Sequence, residues 1–286
     1  MLSWFVDRVL YQANPLVTDK KKYIDISGIP CMCFASASPR KVIVYVYGSG
    51  MSLASLHDSG FAQVLADDSR SVVVAPELPG YGVRAHVRHG SGSHRDNMCS
   101  DTINTVAKYL RKQGISHITI VGRSLGAGIA LNTLNAYPRT CNNTSGLVLI
   151  SGFKSLKAMC HRPSLRALIE DRFCNERNIQ SIPASIPTTI IHGTADELVP
   201  YDHAQTLHRR RHGSRLMTVD GMHHAPTDME MKHIATIIAN SVKDIYVLNA
   251  DRIAQLNAAP GIQINAKSAS TSPDGDVVWW RSLCPI

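Results

Sequence analysis

Ser124 stands in Gly122-Arg123-Ser124-Leu125-Gly126, directly after the apolar run Ile118-Thr119-Ile120-Val121. A strand that feeds a sharp turn into a helix lifts a serine clear of a sheet edge, and flanking glycines leave room for the tight backbone. A serine hydroxyl is a poor nucleophile at neutral pH. It needs a base to take its proton and a third group to orient that base. Downstream the chain offers both. Asp196 closes the stretch Ile190-Ile191-His192-Gly193-Thr194-Ala195-Asp196, with Glu197 beside it as a substitute acid, and two adjacent histidines close Asp220-Gly221-Met222-His223-His224. Each candidate sits just past the end of an expected parallel strand, where open α/β sheets place their sites. The chemistry these side chains allow is nucleophilic acyl transfer through a covalent acyl-enzyme.

The elements that must position them follow from the hydrophobic pattern. Strands are expected at 23–29, 31–37, 41–47, 71–77, 117–122, 146–151, 188–192 and 215–219. The later ones are short, rich in Val and Ile, and continuous rather than alternating, as strands buried on both faces of a parallel sheet read. Helices are expected near 56–66, 96–112, 125–136, 202–211 and 228–248. Strand–helix alternation implies right-handed crossovers and a mostly parallel, doubly wound α/β sheet. The first two strands, with no helix between them, read as an antiparallel hairpin at one edge. The segment 153–186 lacks a strand and fits either a small cap over the strand ends or a surface helix and loop. The division expected is a lead-in over 1–22, a catalytic-type domain over 23–250 and a tail over 251–286. The lead-in places Leu2, Phe5, Val6, Val9 and Leu10 on one helical face beside Trp4 and Arg8, the pattern of a helix that packs on its own domain or lies on a membrane surface. The tail is small and polar over 268–276, a composition that favours disorder, and then carries Val277-Val278-Trp279-Trp280.

Composition narrows the class. The chain has 286 residues, 44% hydrophobic and 18% charged, with a net charge of +8. No apolar run approaches the roughly 18 residues of a membrane span. The N-terminus lacks the basic start, long apolar centre and cleavage site of a signal peptide. Seven scattered cysteines, an odd number without zinc-like pairing, point to reduced thiols and a cytoplasmic chain, peripheral to a membrane if the N-terminal face binds one. Lys20-Lys21-Lys22 and Arg209-Arg210-Arg211 read as solvated faces or as attraction to anionic membrane surfaces. With no nucleic-acid motif and no interleaved aromatics, nucleic acid is not an expected partner. No metal or organic cofactor is implied, because His, Cys and Asp show no ligand spacing.

Residues 10–248 resemble the α/β-hydrolase superfamily, and within it the intracellular branch of α/β-hydrolase-domain depalmitoylases and serine-aminopeptidase-like S33 proteins. The similarity is carried by Val121-Gly122-Arg123-Ser124-Leu125-Gly126-Ala127-Gly128, by Ile150-Ser151-Gly152-Phe153-Lys154-Ser155-Leu156, by the stretch from Ile191 to Pro200, and by Leu10-Tyr11-Gln12-Ala13-Asn14-Pro15. It implies an α/β-hydrolase fold with Ser124 as nucleophile, Asp196 as orienting acid and a histidine of the 223–224 pair as base. His224 is preferred, since Gly221 then stands three residues before it as in the usual G-x-G-H loop. The oxyanion hole is expected to use the Leu125 amide and one from Ser49, Gly50 and Met51, with Gly50 or Met51 preferred. Two departures bear on substrate class: Tyr47-Gly48-Ser49-Gly50-Met51 replaces the usual His-Gly, and the acid before the Gly80-Tyr81-Gly82 turn is Glu77. The resemblance implies an ester or thioester substrate, such as an acylated protein or lipid. Its rivals are a serine peptidase or small-ester esterase, and a catalytically silent scaffold that binds a partner or membrane.

Overall fold

A computed structural model describes residues 23–242, apart from 38, 88–91, 161–165 and 167. The expected N-terminal helix, the Lys20-Lys21-Lys22 run and the tail with Trp279-Trp280 lie outside the described residues.

Eight strands form one sheet: β1 (Ile24–Ile26), β2 (Ile29–Ala35), β3 (Lys41–Val46), β4 (Ser71–Pro76), β5 (Ile118–Arg123), β6 (Thr144–Ile150), β7 (Thr188–Gly193) and β8 (Arg215–Val219). Their order is β1-β2-β4-β3-β5-β6-β7-β8. β1 and β2 form the expected antiparallel hairpin, β2 also runs antiparallel to β4, and every later pairing is parallel. The continuous Val/Ile pattern has the physical basis expected: every residue of β3, β4 and β7 is buried. β8, at the edge, is only half-covered.

The helices are α1 (Leu53–Asp58), α2 (Phe61–Ser69), α3 (Ser93–Lys112), α4 (Leu125–Ala136), α5 (Pro138–Asn142), α6 (Asn175–Asn178), α7 (Asp202–Arg210) and α8 (Asp228–Ser241). Two expectations are corrected. The single helix over 56–66 is two helices, because the Ser59 hydroxyl turns back to the Leu56 carbonyl and Gly60 adopts φ 67°. The last helix ends at Ser241, where Val242 becomes extended. Its start is fixed by a capping box: Thr227 Oγ1 accepts from the Glu230 amide at 3.3 Å, and the Glu230 carboxylate accepts from the Thr227 amide at 2.6 Å.

The 153–186 segment has no strand among its described residues, and Phe153, Phe173, Ile179, Ile182 and Ile186 are buried in the core. It is pinned by a buried ion pair. Arg172 donates from Nε to Asp96 Oδ2 at 2.7 Å and from Nη2 to Oδ1 at 2.5 Å, with both side chains under 5% exposed at 2% and 4%. Asp96 lies in the first turn of α3, so one contact ties this segment to the N-terminus of a twenty-residue helix. Removing one partner strands the other charge in a dry site. Asp96→Ala is therefore expected to cost roughly 3–5 kcal/mol, read as a lowered urea midpoint. An unchanged midpoint would refute it.

Candidate active site

The nucleophile candidate sits between β5 and α4 in a backbone state that few non-glycine residues adopt. Ser124 has φ 52° and ψ −116°. Such a conformation costs on the order of 1–3 kcal/mol and persists only where its surroundings enforce it. Here the Ser124 amide donates to the Ile150 carbonyl at the end of β6, at 2.8 Å. The flanking glycines are obligatory. A Cβ on Gly122 would lie 2.4 Å from the Gly126 carbonyl oxygen, and one on Gly126 would lie 2.0 Å from that of Val46. Strand β5, strand β3 and α4 thus meet backbone to backbone around the serine. Leu125 opens α4, so its amide belongs to the first helical turn, whose N–H groups have no intrahelical acceptor.

The loop after β3 borders the same residue. A Cβ on Gly48 would lie 3.2 Å from Ser124 Cβ and 3.8 Å from Ser124 Oγ. Beyond it Gly50 takes φ 75°, which favours glycine, and Met51 Sδ lies 3.7 Å from Arg123 Nη1.

Asp196 and the histidines come from the loops after β7 and β8, and those loops are laced together. The Ala195 amide donates to the Met222 carbonyl at 3.2 Å, and Thr194 Oγ1 donates to Asp220 and accepts from the Gly221 amide. A Cβ on Gly193 would lie 2.0 Å from the Met222 carbonyl oxygen. Asp196 Oδ1 accepts the Val199 amide at 2.7 Å and the Leu198 amide at 3.1 Å. His224 Nδ1 lies 3.0 Å from Oδ1 and 2.9 Å from Oδ2. A carboxylate only accepts, so Nδ1 carries the hydrogen and Nε2 of the neutral ring is left with a lone pair. Burial pushes the Asp196 carboxyl upward, but hydrogen bonds from His192, His224 and the Val199 amide outweigh it and hold the group well below the usual carboxylate range. Asp196 therefore stays ionised.

The structure brings Asp196 and His224 together and separates the alternatives. His223 Nδ1 meets Glu197 Oε2 at 3.1 Å on the surface, with both side chains largely exposed. Two further residues touch these groups without having been singled out in the sequence. Arg123 Nη2 donates to the His224 carbonyl at 2.8 Å, so the residue before the serine holds the histidine's backbone. Buried His192 donates from Nε2 to the Val199 carbonyl at 2.7 Å and lies 3.4 Å from Asp196 Oδ2. Their signal was position alone: one inside the Gly-x-Ser-x-Gly run, one in the His-Gly pair ending β7. Among the described residues no three His, Cys, Asp or Glu side chains converge as metal ligands would, and no helix is long and apolar enough to cross a membrane.

A family model described as serine hydrolase (FSH1) matches residues 49–235. Protein ABHD12B of Homo sapiens is 26% identical over 205 residues, covering 64% of this chain and 54% of that protein. The uncharacterized protein YfhR of Salmonella typhi is 25% identical over 142 residues, covering 45% of this chain and 48% of that protein. The chain thus spans about half the length of the curated relatives it matches. A meta-cleavage product hydrolase from Pseudomonas fluorescens IP01 superposes with a TM-score of 0.58 at 17% identity, covering 77% of this chain and 96% of that chain. A monoacylglycerol lipase from Paleococcus ferrophilus superposes with a TM-score of 0.54 at 16% identity, covering 75% and 99%. At these identities the structural likeness establishes the α/β-hydrolase fold.

Proposed function

The chain belongs to the serine hydrolase (FSH1) family within the α/β-hydrolases, and on that premise we propose that it hydrolyses carboxylic esters or thioesters through Ser124, Asp196 and His224. One observation carries the reading: the Asp196 carboxylate is 2.9 Å from His224 Nδ1, which leaves the Nε2 lone pair to act as a base, while Arg123, the residue before Ser124, donates to the His224 carbonyl at 2.8 Å.

His224 Nε2 removes the Ser124 proton as Oγ attacks the acyl carbon. The ionised Asp196 holds the ring in the tautomer that can do this and stabilises the imidazolium that results. The carbonyl oxygen becomes an oxyanion, which accepts hydrogen bonds from the Leu125 amide and from an amide of the 48–51 loop, Gly50 or Met51. Charge that appears only in the transition state is best met by donors already fixed in place. The imidazolium returns its proton to the departing alkoxide or thiolate, and water then removes the acyl group by the same steps in reverse.

The substrate proposed is a fatty acyl ester or thioester, an acylated protein being the depalmitoylase-like case. Support comes from the resemblance of the motif stretches to that branch and from the basic balance of the chain, which favours work beside anionic membrane surfaces in the cytoplasm. The test is a matched panel: one acyl group carried as a thioester, an oxygen ester and a palmitoylated peptide, with an aminoacyl amide as the peptidase comparison. Turnover of the acyl esters or thioesters above the amide is expected. Preference for the amide would move the chain to the peptidase reading. A folded protein that turned over none of them and resisted a fluorophosphonate would be a silent scaffold.

A further inference from the structure

Glu77 follows β4 and is fully buried, yet the acyl-transfer steps give it no part. Three donors converge on its carboxylate. The Tyr47 hydroxyl donates to Oε1 at 2.6 Å, and the Leu53 amide donates to the same oxygen at 3.2 Å. The Val83 amide donates to Oε2 at 3.4 Å. Tyr47 in turn accepts from the Leu78 amide at 2.9 Å, and its ring meets Tyr81 edge-on at 5.7 Å. Gly82 closes the other side, since a Cβ there would lie 2.0 Å from Oε2. Burial pushes the carboxyl up, while the hydrogen bonds from Tyr47, Leu53 and Val83 oppose that shift. A buried carboxylate is costly unless its lone pairs are used. Here they are used on two separate segments.

The first of those segments matters most. Tyr47 and Leu53 bracket residues 48–52, the loop that borders Ser124 and carries Gly50 and Met51. A single carboxylate oxygen therefore fastens both ends of that loop to the end of β4.

We propose that Glu77 is a positioning residue for the oxyanion hole, holding the 48–52 loop so that its amide faces the charge that develops beside Ser124. The proposal rests on Ser124 being the nucleophile and on this loop supplying a donor. Fixed donors discriminate the transition state from the bound substrate, so slack in the loop lowers kcat and leaves KM nearly unchanged.

The test uses Glu77→Gln and Tyr47→Phe in the full chain. Glutamine turns an N–H toward one of the three donors, and phenylalanine keeps the ring packing while removing the hydroxyl. Three readouts are taken: kcat and KM on the best ester of the panel, inhibition by an alkylboronic acid that forms a tetrahedral adduct on serine, and amide hydrogen exchange over residues 47–53. The expected result is a kcat lower by about 10- to 100-fold with KM within about twofold, boronate affinity falling in step with kcat, and faster exchange confined to the loop. Lower thermal stability with kcat and boronate affinity unchanged would overturn the proposal and leave Glu77 a purely structural residue. Should Glu77→Gln fail to fold, Tyr47→Phe decides on the same criteria. A wild type that neither turns over esters nor binds the boronate would count against Ser124 as nucleophile. Loop exchange then judges Glu77 alone, and unchanged exchange overturns it.

Discussion

Ser124→Ala is expected to abolish labelling by a fluorophosphonate and to lower kcat by about 10⁵- to 10⁶-fold. The magnitude follows from the chemistry: without Oγ there is no covalent path, and only the oxyanion donors and substrate binding remain, worth roughly 10³–10⁴ over water. The fold should be untouched. Alanine keeps the Cβ and the same backbone state, and the Ser124 amide still donates to the Ile150 carbonyl. Mass spectrometry of the labelled protein beside circular dichroism of the variant checks both statements. Labelling that persisted in a folded Ser124→Ala protein would place the nucleophile elsewhere and end the proposed mechanism.

Asp196→Asn is expected to lower kcat by about 10⁴-fold, for a reason specific to this loop. The Val199 and Leu198 amides both donate to Oδ1. An asparagine must set its carbonyl there, so its NH₂ takes the place of Oδ2, which is 2.9 Å from His224 Nδ1. Two donors then face each other, and the ring relieves the conflict by moving its hydrogen to Nε2. In that tautomer His224 cannot accept the serine proton. Steady-state kinetics checks the loss; an Asp196→Asn rate within about tenfold of wild type would remove Asp196 from the mechanism.

The same substitution has a pH signature in stability. The Asp196 carboxyl is depressed in the folded chain relative to an ordinary carboxylate. Its stabilising contribution is fully present above the unfolded value of about 3.9 and is lost as pH falls toward the folded value. The stability difference between wild type and Asp196→Asn, read by urea denaturation, should therefore be constant above about pH 5 and shrink below about pH 4.

Much of this arrangement is legible in the chain because the residues proposed to do the chemistry lie next to the strongest pattern. β5, β7 and β8 are short apolar runs, and Ser124, Asp196 and His224 each follow one of them within a few residues. The choice between His223 and His224 rested on a glycine three residues upstream. What could not be read is whatever depends on segments far apart in sequence. The order of β3 and β4 in the sheet is an example: β4 precedes β5 in the chain, yet β3 is the strand that pairs with β5. The Arg172–Asp96 pair spans 76 positions, and the Arg123–His224 contact spans 101. Nothing local to either residue names its partner. The break between α1 and α2 was missed because Gly60 interrupts an apolar pattern that keeps helical spacing on both sides.

The left-handed backbone at Ser124 also bears on how such a chain persists through mutation. Glycine occupies that conformation almost freely, whereas serine holds it at a standing loss. A downhill exit is thus always one substitution away, and neutral drift would take it before it damaged the sheet. A lineage that no longer used the hydroxyl should shed the serine while keeping the fold. If Ser124 is the nucleophile proposed, its torsion is a place where reactivity is kept at the expense of robustness.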